Sequence, residues 1–276
     1  WRQQRELLRE REAAVAAASL AAAAMLSACA TLTVDFVYVS SALAAGSNSY
    51  GEINVFEVNS ESGFMRQIPT SPFPSAGRNP VAEAVSPDNS SLYVVNKDDN
   101  SIVQFIIGND GKLYPNTTVN TPGIFPLAVA TSNSYLFVAD LYQPLPICSS
   151  AAPCTGSVGV FPINSDSTLG AVVGNTVDNT AYWPLPQPTN TGDVIAPTAI
   201  TTAASGAYVY VAAYDTTAGG GYIFGFAVGS DGTLTPLNNG VPFAAGSHPS
   251  GLAAAPSGSY LYATDYDART VLSYAI

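Results

Sequence analysis

Two stretches of the sequence align without a gap and decide the fold. The first is Asn79-Pro-Val-Ala-Glu-Ala-Val-Ser-Pro-Asp-Asn-Ser-Ser-Leu-Tyr-Val-Val-Asn96, and the second is His248-Pro-Ser-Gly-Leu-Ala-Ala-Ala-Pro-Ser-Gly-Ser-Tyr-Leu-Tyr-Ala-Thr-Asp265. In each, a proline starts a short apolar strand, a turn rich in Pro, Ser, Gly and Asn reverses it, and an aromatic-containing strand follows. Residues 126–140 and 197–213 follow the same plan without the second proline. Such internal repeats indicate a repeat architecture.

A third strand with alternating apolar residues follows in three of these units. The predicted third strands are Ile102–Ile107, Val158–Ile163 and Ile223–Val228. The first and last lead into Asp-Gly turns, whereas the middle one leads into Ser165-Asp-Ser-Thr-Leu169. We expect the leucine of each turn, with the residues after it, to form a fourth strand. Four antiparallel strands in a unit of about 45 residues are typical of a β-propeller blade.

The prolines that start the units are unevenly spaced. They are Pro80, Pro126, Pro197 and Pro249, separated by 46, 71 and 52 residues. The long middle interval predicts a blade with two insertions, one holding two cysteines and the other covering the Pro- and Asn-rich segment Tyr182–Asp193. Insertions of this kind lie in surface loops, where ligands and partners bind, and loops without any ligand are the alternative.

Both ends of the repeat region predict incomplete blades. Val34–Ser40 matches a second strand, Ile53–Val58 matches a third strand, and Val271–Ile276 matches a third strand with no fourth strand after it. We therefore predict an all-β propeller over residues 29–276, with about five blades of a seven-bladed ring. The ring would be interrupted after the third strand of the fifth blade, and in a closed ring the C-terminal segment would supply the missing first strand of the first blade.

The composition agrees with strands and turns, and it argues against nucleic-acid binding. The 276 residues are 47% hydrophobic and 11% charged, and they include 23 Gly, 20 Pro and 15 Tyr. The net charge of −11 repels phosphate backbones, so we expect no nucleic-acid partner.

Residues 1–28 at the N-terminus are predicted to be a signal peptide. The apolar run Ala13–Leu26 has 14 residues, too few to span a bilayer but suited to a signal peptide. It ends in Leu26-Ser-Ala-Cys29, which resembles a bacterial lipobox, so we predict cleavage before Cys29 and acylation of its thiol. A buried Ala-rich helix is the alternative, and the glutamates before the run are atypical of a signal. The prediction is an exported lipoprotein, periplasmic or at the cell surface, bound to a bacterial membrane only through its lipid.

The two remaining cysteines predict a disulfide bond. Cys148 and Cys154 are separated by the loop-forming sequence Ser-Ser-Ala-Ala-Pro, and in an oxidising compartment such a pair closes a small loop. A zinc site is disfavoured because His248 is the only histidine of the sequence. We assign the disulfide no catalytic role.

The second strands carry a resemblance to a known family. Tyr93-Val-Val-Asn96, repeated loosely as Phe137-Val-Ala-Asp140 and Tyr262-Ala-Thr-Asp265, is similar to the YVTN repeat. Together with the proline pattern and the Asp-Gly-x-Leu turns, it resembles the seven-bladed lactonase-like propellers, which include propeller-type 6-phosphogluconolactonase and fungal muconate-lactonizing enzymes. The resemblance covers residues 34–276. It implies the fold, but not the activity, because one fold hosts many functions.

The resemblance also implies where catalytic residues would lie. Enzymatic members have an Arg-His pair directly after the blade-start proline, and an acid after the Tyr-Val-x-Asn segment, which would hold an anionic group and move protons at a lactone ring. Here the residues after the prolines are Val81-Ala82, Leu127-Ala128, Thr198-Ala199 and Ser250-Gly251, and those at the acid position are Lys97, Leu141, Tyr214 and Tyr266. His248 precedes its proline and is predicted to be a structural turn residue. The catalytic residues therefore stay unidentified.

Other chemistries are not indicated. The sequence has no Gly-x-Ser-x-Gly elbow, no His/Cys/Asp spacing of a metal site and no phosphate-binding glycine loop, so we predict no cofactor and no metal. The run Lys97–Asn100 is interpreted as a solvated turn, with a cation site as the alternative.

Two functions follow as hypotheses. The first is a binding or interaction scaffold that presents its face loops to a small molecule or a protein. The second is a lactone hydrolase of the 6-phosphogluconolactonase kind, whose catalytic residues lie in missing blades or in the inserted loops.

Overall fold

The repeat positions become strands in the computed structural model, which describes residues 33–45, 47–188 and 192–276. The predicted signal peptide 1–28 and the predicted lipidation site Cys29 lie outside the described residues. Within the described residues, no helix is long and apolar enough to cross a membrane.

The described residues form five antiparallel sheets, each of which is one propeller blade. Blade 1 contains β1 (Thr33–Ala45), β2 (Tyr50–Asn59), β3 (Met65–Gln67) and β4 (Phe73–Pro74). Blade 2 contains β5 (Pro80–Val85), β6 (Ser91–Asn96), β7 (Ser101–Ile107) and β8 (Leu113–Asn120). Blade 3 contains β9 (Ile124–Thr131), β10 (Tyr135–Tyr142), β11 (Ser157–Pro162) and β12 (Trp183–Pro184). Blade 4 contains β13 (Ile195–Thr202), β14 (Tyr208–Asp215), β15 (Gly221–Val228), β16 (Leu234–Pro236) and β17 (Phe243–Ala244). Blade 5 contains β18 (Pro249–Ala254), β19 (Tyr260–Asp265) and β20 (Thr270–Ala275). Short 3₁₀ turns lie at Lys97–Asp99 and Leu237–Gly240.

This arrangement confirms the predicted fold class and the predicted third strands of the blades. The third strands β7, β11 and β15 overlap the predicted ranges, and β1, β2 and β20 overlap the strands expected at the two ends. The chain contacts divide into two compact units. The described part of the smaller unit is 33–37 and 56–68, where β3 pairs with the end of β2 and Arg66 forms an ion pair with Glu57. The larger unit holds the described residues of 38–55 and 69–276.

The blade-start prolines produce a bulge in each inner strand of blades 2 to 5. Pro80 lies opposite Asn96, but the next pair is Ala82 with Val95, so one extra residue is inserted. The same irregularity follows the other three prolines. Proline has no backbone N–H to donate to the neighbouring strand, which favours such a local break in the ladder. The extra residues are Val81, Leu127, Thr198 and Ser250.

The apolar core lies between the faces of neighbouring blades. Alternate residues of each strand point to opposite faces of its sheet, and in blades 2 to 4 the second strands β6, β10 and β14 are buried on both faces, whereas β19 of blade 5 is buried on one face. Between blades 2 and 3 the buried core is Tyr93, Val95, Ile102, Leu136, Val138 and Phe161. A larger buried cluster joins blades 3 and 4, and a cluster with as many buried residues as the first joins blades 4 and 5. Since each contact buries large side chains completely, the blades hold one another in place.

The fourth strand of blade 3 differs from the prediction. We expected it after Leu169, but Leu169 makes only an isolated bridge to Ile163. The strand that pairs with β11 is β12, and its Trp183 lies opposite Val158. Segment Tyr182–Asp193 is thus not wholly an inserted loop, as we had interpreted it. The reason is apolar burial: Trp183 and Leu185 belong to the core between blades 3 and 4, which draws this segment onto the sheet.

Candidate functional site

A buried polar residue lies at the same register position, near the end of the second strand, in blades 2, 3 and 5. Asn96, Asp140 and Asp265 each lie opposite the blade-start proline, and all three are almost completely buried. We call this end of the blades, where the inner strands begin and where the loops from second to third strand lie, the proline end. The loops of this end contain the residues discussed below.

Asp265 fixes two loop segments of the proline end. Its carboxylate accepts hydrogen bonds from the backbone N–H groups of Ser247 (2.8 Å), His248 (3.4 Å), Asp267 (3.0 Å) and Ala268 (3.1 Å). These backbone donors stabilise the charged form and lower the pKa of Asp265. The segments just before β18 and just after β19 are therefore held on a single carboxylate.

Asp140 occupies the same place in blade 3 but has fewer partners. Its Oδ2 accepts a hydrogen bond from the Gly123 N–H at 3.0 Å, while its Oδ1 has no partner among the described residues. The cross-strand neighbour Ser157 also has an unpaired buried hydroxyl in this part of the chain. Burial raises the pKa of Asp140 to about 8, because desolvation disfavours the charged carboxylate. With no exposed surface, this group acts on the fold and does not contact ligands.

Aromatic rings lie on the loops of blades 4 and 5 at the proline end. The imidazole of His248, directly before Pro249, has its centroid 4.2 Å from the ring of Tyr214 and 5.9 Å from that of Tyr266. His248 is partly buried, whereas 72% of Tyr266 is exposed. The cluster thus combines a packed imidazole with an exposed ring face at the start of an inner strand.

A second ring occupies the corresponding position in blade 3. Phe125 directly precedes Pro126, and its centroid lies 6.0 Å from that of Tyr142. Its φ of +57° is unusual for a bulky residue, and it is stabilised by a 2.7 Å hydrogen bond from the Phe125 N–H to Asn100 Oδ1. Such backbone strain concentrates at functional sites. We call the five rings the aromatic rim; its members are Phe125, Tyr142, Tyr214, His248 and Tyr266.

Polar groups accompany the rim on blade 5. Asp267 Oδ2 lies 3.9 Å from His248 Nδ1. The Arg269 side chain has no ion pair within the described part of the chain. Both residues border the proline end, and Asp267, Arg269 and Tyr266 line an open cleft of 520 Å³. An imidazole, a carboxylate and a guanidinium are therefore available around one exposed tyrosine.

The bulge residues that follow the prolines make structural contacts instead. Thr198 Oγ1 donates a 2.7 Å hydrogen bond to the Pro249 carbonyl and so connects blades 4 and 5. The Ser250 and Thr264 hydroxyls are 3.0 Å apart within blade 5. In the described blades, these positions therefore hold small or apolar side chains.

The structure joins Cys148 and Cys154 in a disulfide bond with a Cα–Cα distance of 5.4 Å. The bond lies in the loop between β10 and β11, immediately after the rim residue Tyr142. The loop is closed at its base by a hydrogen bond from the Gln143 N–H to the Thr155 carbonyl at 3.2 Å. Its tip presents Ile147 to solvent. The inserted loop of blade 3 therefore extends the proline end and is restrained by the disulfide bond and by the hydrogen bond at its base.

The run Lys97–Asn100 also lies at the proline end. It forms a 3₁₀ turn closed by Asn100 in the left-handed region. Asp99 forms an ion pair with Arg78 at 2.5 Å and accepts its backbone N–H. Across the described ranges, no group of three or more His, Cys, Asp and Glu side chains is placed to hold a metal ion.

The aromatic rim was not predicted from the sequence, because the family resemblance implies catalytic residues after each proline, whereas Phe125 and His248 directly precede their prolines. An available signal was that the position before the proline is a ring in two of the four repeats. The partners Tyr142 and Tyr214 lie in the second strands β10 and β14, and the repeat spacing does not indicate which ring each of them contacts.

A comparison with family models places the fold in a known group. The model described as lactonase, seven-bladed β-propeller, matches residues 36–190, which is more than half of the chain. The chain belongs to this family. No curated protein matches this lactonase-family propeller.

Solved structures resemble the propeller at low sequence identity. A protein from Lactobacillus plantarum is 16% identical with a TM-score of 0.60, over 87% of this chain and 63% of that one. A functionally unknown protein from Desulfotomaculum acetoxidans is 18% identical with a TM-score of 0.57, over 87% of this chain and 65% of that one. The periplasmic gluconolactonase of Pseudomonas aeruginosa is 17% identical with a TM-score of 0.49, over 88% and 79%. The chain spans less than two thirds of the first two structures, and these similarities show the fold alone.

Proposed function

We propose that this lactonase-family propeller is an exported binding protein whose aromatic rim holds a polyhydroxylated ring, such as a sugar or a sugar lactone. The observation that supports the proposal is the packing of His248 between Tyr214 and Tyr266 at the start of an inner strand. Rings that present an apolar face beside polar groups suit ligands that are apolar on one face and hydroxylated at their edges.

The roles within the rim follow from exposure and contacts. Tyr266 has the exposed ring and would stack against the ligand, whereas His248 is packed and would offer a ring nitrogen to a hydroxyl group. Asp267 stands near enough to His248 to accept hydrogen bonds from the same ligand. Asp265 positions both loops from beneath through four backbone N–H groups, so it would shape the site without touching the ligand.

The proposal includes anchoring at a bacterial membrane through a lipid on Cys29. It rests on the lipobox-like Leu26-Ser-Ala-Cys29 and on nothing in the described residues. The test is radiolabelled palmitate incorporation in a bacterial host. Wild-type protein should be labelled and Cys29→Ala should not, while equal labelling of both would refute the anchor.

Binding at the rim is tested with glucose and glucono-lactone as probes in isothermal titration calorimetry. We expect Tyr266→Ala to weaken binding about tenfold, because it removes the exposed stacking surface. Tyr114→Ala is the matched control, since Tyr114 is an exposed tyrosine on the outermost strand β8. Equal affinities for wild type and Tyr266→Ala would refute the rim as the binding site.

A second candidate function is a lactone hydrolase. The observation that favours it is the 3.9 Å separation of His248 Nδ1 and Asp267 Oδ2, since a carboxylate beside an imidazole can orient a general base that activates water. His248 would take a proton from water as the water oxygen adds to the lactone carbonyl, the ring C–O bond would break, and the proton would pass to the ring oxygen that leaves, so that a single hydroxy acid forms.

This candidate is tested by following acid release from glucono-lactone in a pH-stat. A hydrolase would open the ring well above the uncatalysed rate and would lose most of that activity in His248→Gln. If the wild-type protein opens the ring no faster than the blank, hydrolysis of this lactone is excluded and the binding function is the remaining proposal.

A further inference from the structure

Lys97 is a cation of the proline end whose acidic neighbours are engaged elsewhere. Asp99 pairs with Arg78, and Asp98 Oδ1 accepts a hydrogen bond from Asn79 Nδ2 at 3.1 Å. Among the described lysines and arginines, Arg66, Arg78 and Lys112 form ion pairs with carboxylates, whereas Lys97 and Arg269 do not. Lys97 is partly buried, and a partly buried lysine without a carboxylate partner is uncommon in a protein with a net charge of −11.

The position of Lys97 is set by the rim. Its Nζ lies 5.8 Å from the centroid of the Phe125 ring, within the range of a cation–π contact. The strained backbone of Phe125 is in turn fixed by Asn100, which closes the 3₁₀ turn that begins at Lys97. The 3₁₀ turn therefore positions both Lys97, at its start, and Phe125, through Asn100.

Blade 2 differs from the other described blades at this position. The residue that follows the cross-strand partner of the blade-start proline is Lys97 in blade 2 and Leu141, Tyr214 and Tyr266 in blades 3 to 5. Within the described repeats, a positive charge at this point is therefore specific to one blade. If this position served only as a solvated turn, the repeat would not require a lysine beside an aromatic ring in one blade.

We propose that Lys97 and Phe125 form a carboxylate-binding subsite of the rim. This inference rests on the proposed function and adds to it a ligand class, namely a hydroxylated ring or chain that bears a carboxylate. The ammonium group would donate hydrogen bonds to the carboxylate, and Phe125 and Tyr142 would cover the adjoining carbon skeleton. A monoanion is favoured over a phosphate dianion because Asp98 and Asp99 lie next to the single cation.

The test compares gluconate, glucose and glucose 6-phosphate by calorimetry at low and high salt. We expect gluconate to bind about tenfold more tightly than glucose at low salt, and the difference to shrink as salt screens the partly exposed charge. A tighter binding of glucose 6-phosphate than of gluconate would overturn the assignment to a carboxylate.

Three variants isolate Lys97. Lys97→Met keeps the apolar stem over Phe125 but should abolish the preference for gluconate, and Lys97→Arg should retain it. Lys112→Met is the matched control, because Lys112 is a lysine paired with Asp110 in a different turn of the same blade. An unchanged preference in Lys97→Met would overturn the subsite, and thermal denaturation of each variant checks that the fold is intact.

Failure of the subsite can be separated from failure of the proposed function. If glucose binds and Tyr266→Ala weakens it while gluconate shows no preference, the rim is correct and the subsite is wrong. Acetate provides a probe without a sugar, with NMR detection of the backbone amide signals of Asn100 and Phe125, which lie beside Lys97 and are present in both the wild type and Lys97→Met. Shifts in the wild type that are absent in Lys97→Met would support the subsite even if neither sugar bound, and no shift together with no gluconate binding would overturn it.

Discussion

The buried carboxyl group of Asp140 should make the propeller less stable as pH rises. Its pKa is raised to about 8 by burial, whereas an aspartate in an unfolded chain titrates near 3.9. Between these values the folded state holds a proton that the unfolded state has released, so the free energy of unfolding falls by about 1.4 kcal/mol per pH unit. From pH 4 to pH 7 the loss is up to about 4 kcal/mol, and above pH 8 it stops growing.

The substitution that isolates this effect is Asp140→Asn. The amide keeps an oxygen to accept the hydrogen bond of the Gly123 N–H and cannot ionise, so the variant should lack the slope between pH 5 and pH 8. It should also be more stable than wild type at pH 8. The measurement is urea denaturation at half-unit pH steps, in a His248→Gln background that removes the only histidine.

Other carboxyl groups do not obscure this window. The aspartates with lowered pKa values contribute stability that is present above pH 4 and lost in acid, so their effect lies below the window; they are Asp88, Asp99, Asp110, Asp166, Asp231 and Asp265. Asp265→Asn is the matched control, because the same strand position there holds a carboxylate with four backbone donors. It should destabilise the protein at pH 7. Parallel pH profiles for wild type and Asp140→Asn would refute the reasoning.

Further predictions concern the packing and the turns. Gly246→Ala should lower the free energy of unfolding by more than about 3 kcal/mol in urea titrations, because φ is +75° and an added Cβ would lie 1.8 Å from Asp265 Oδ2; a loss below about 1 kcal/mol would contradict this geometry. Tyr93→Phe should cost about 1 kcal/mol in the same assay, since the hydroxyl donates a 2.6 Å hydrogen bond to the buried Ser167 carbonyl, and no loss would show that water replaces it. Cys154→Ser should lower stability by about 2 kcal/mol through the opened loop, and its thermal midpoint should match that of reduced wild type.

The strand pattern was predictable because it depends on local chemistry. Pro80 and Pro249 start their strands, apolar residues alternate with the pleat, and the Asp-Gly turns end the third strands, so each signal lies within a few residues of its effect. The bulge after each proline is equally local, but it was not anticipated. Its consequence is that Val81 and its equivalents are extra residues in the ladder.

The features that were missed depend on contacts between distant segments. The fourth strand of blade 3 forms at Trp183, fourteen positions after Leu169, because a bulky ring stabilises the core more than the nearer leucine does. The rim likewise joins residues from different blades, such as Tyr214 and His248. The repeat period does not give that pairing, because Tyr214 belongs to strand β14 of blade 4 and His248 precedes strand β18 of blade 5.

The architecture explains why, under the proposed function, the ligand would contact residues before the inner strands and not residues within them. The inner strands are close together, and residues such as Ala82 and Ala128 leave little side-chain volume or polarity there. The residue before each proline lies ahead of the bulge, at or just before the start of the inner strand, so its side chain is less restricted. Phe125 and His248 occupy this position, and each is held by groups from a preceding or adjoining loop. If the rim binds a ligand as proposed, ligand specificity would change through the residues before the prolines while the repeated inner strands stay the same.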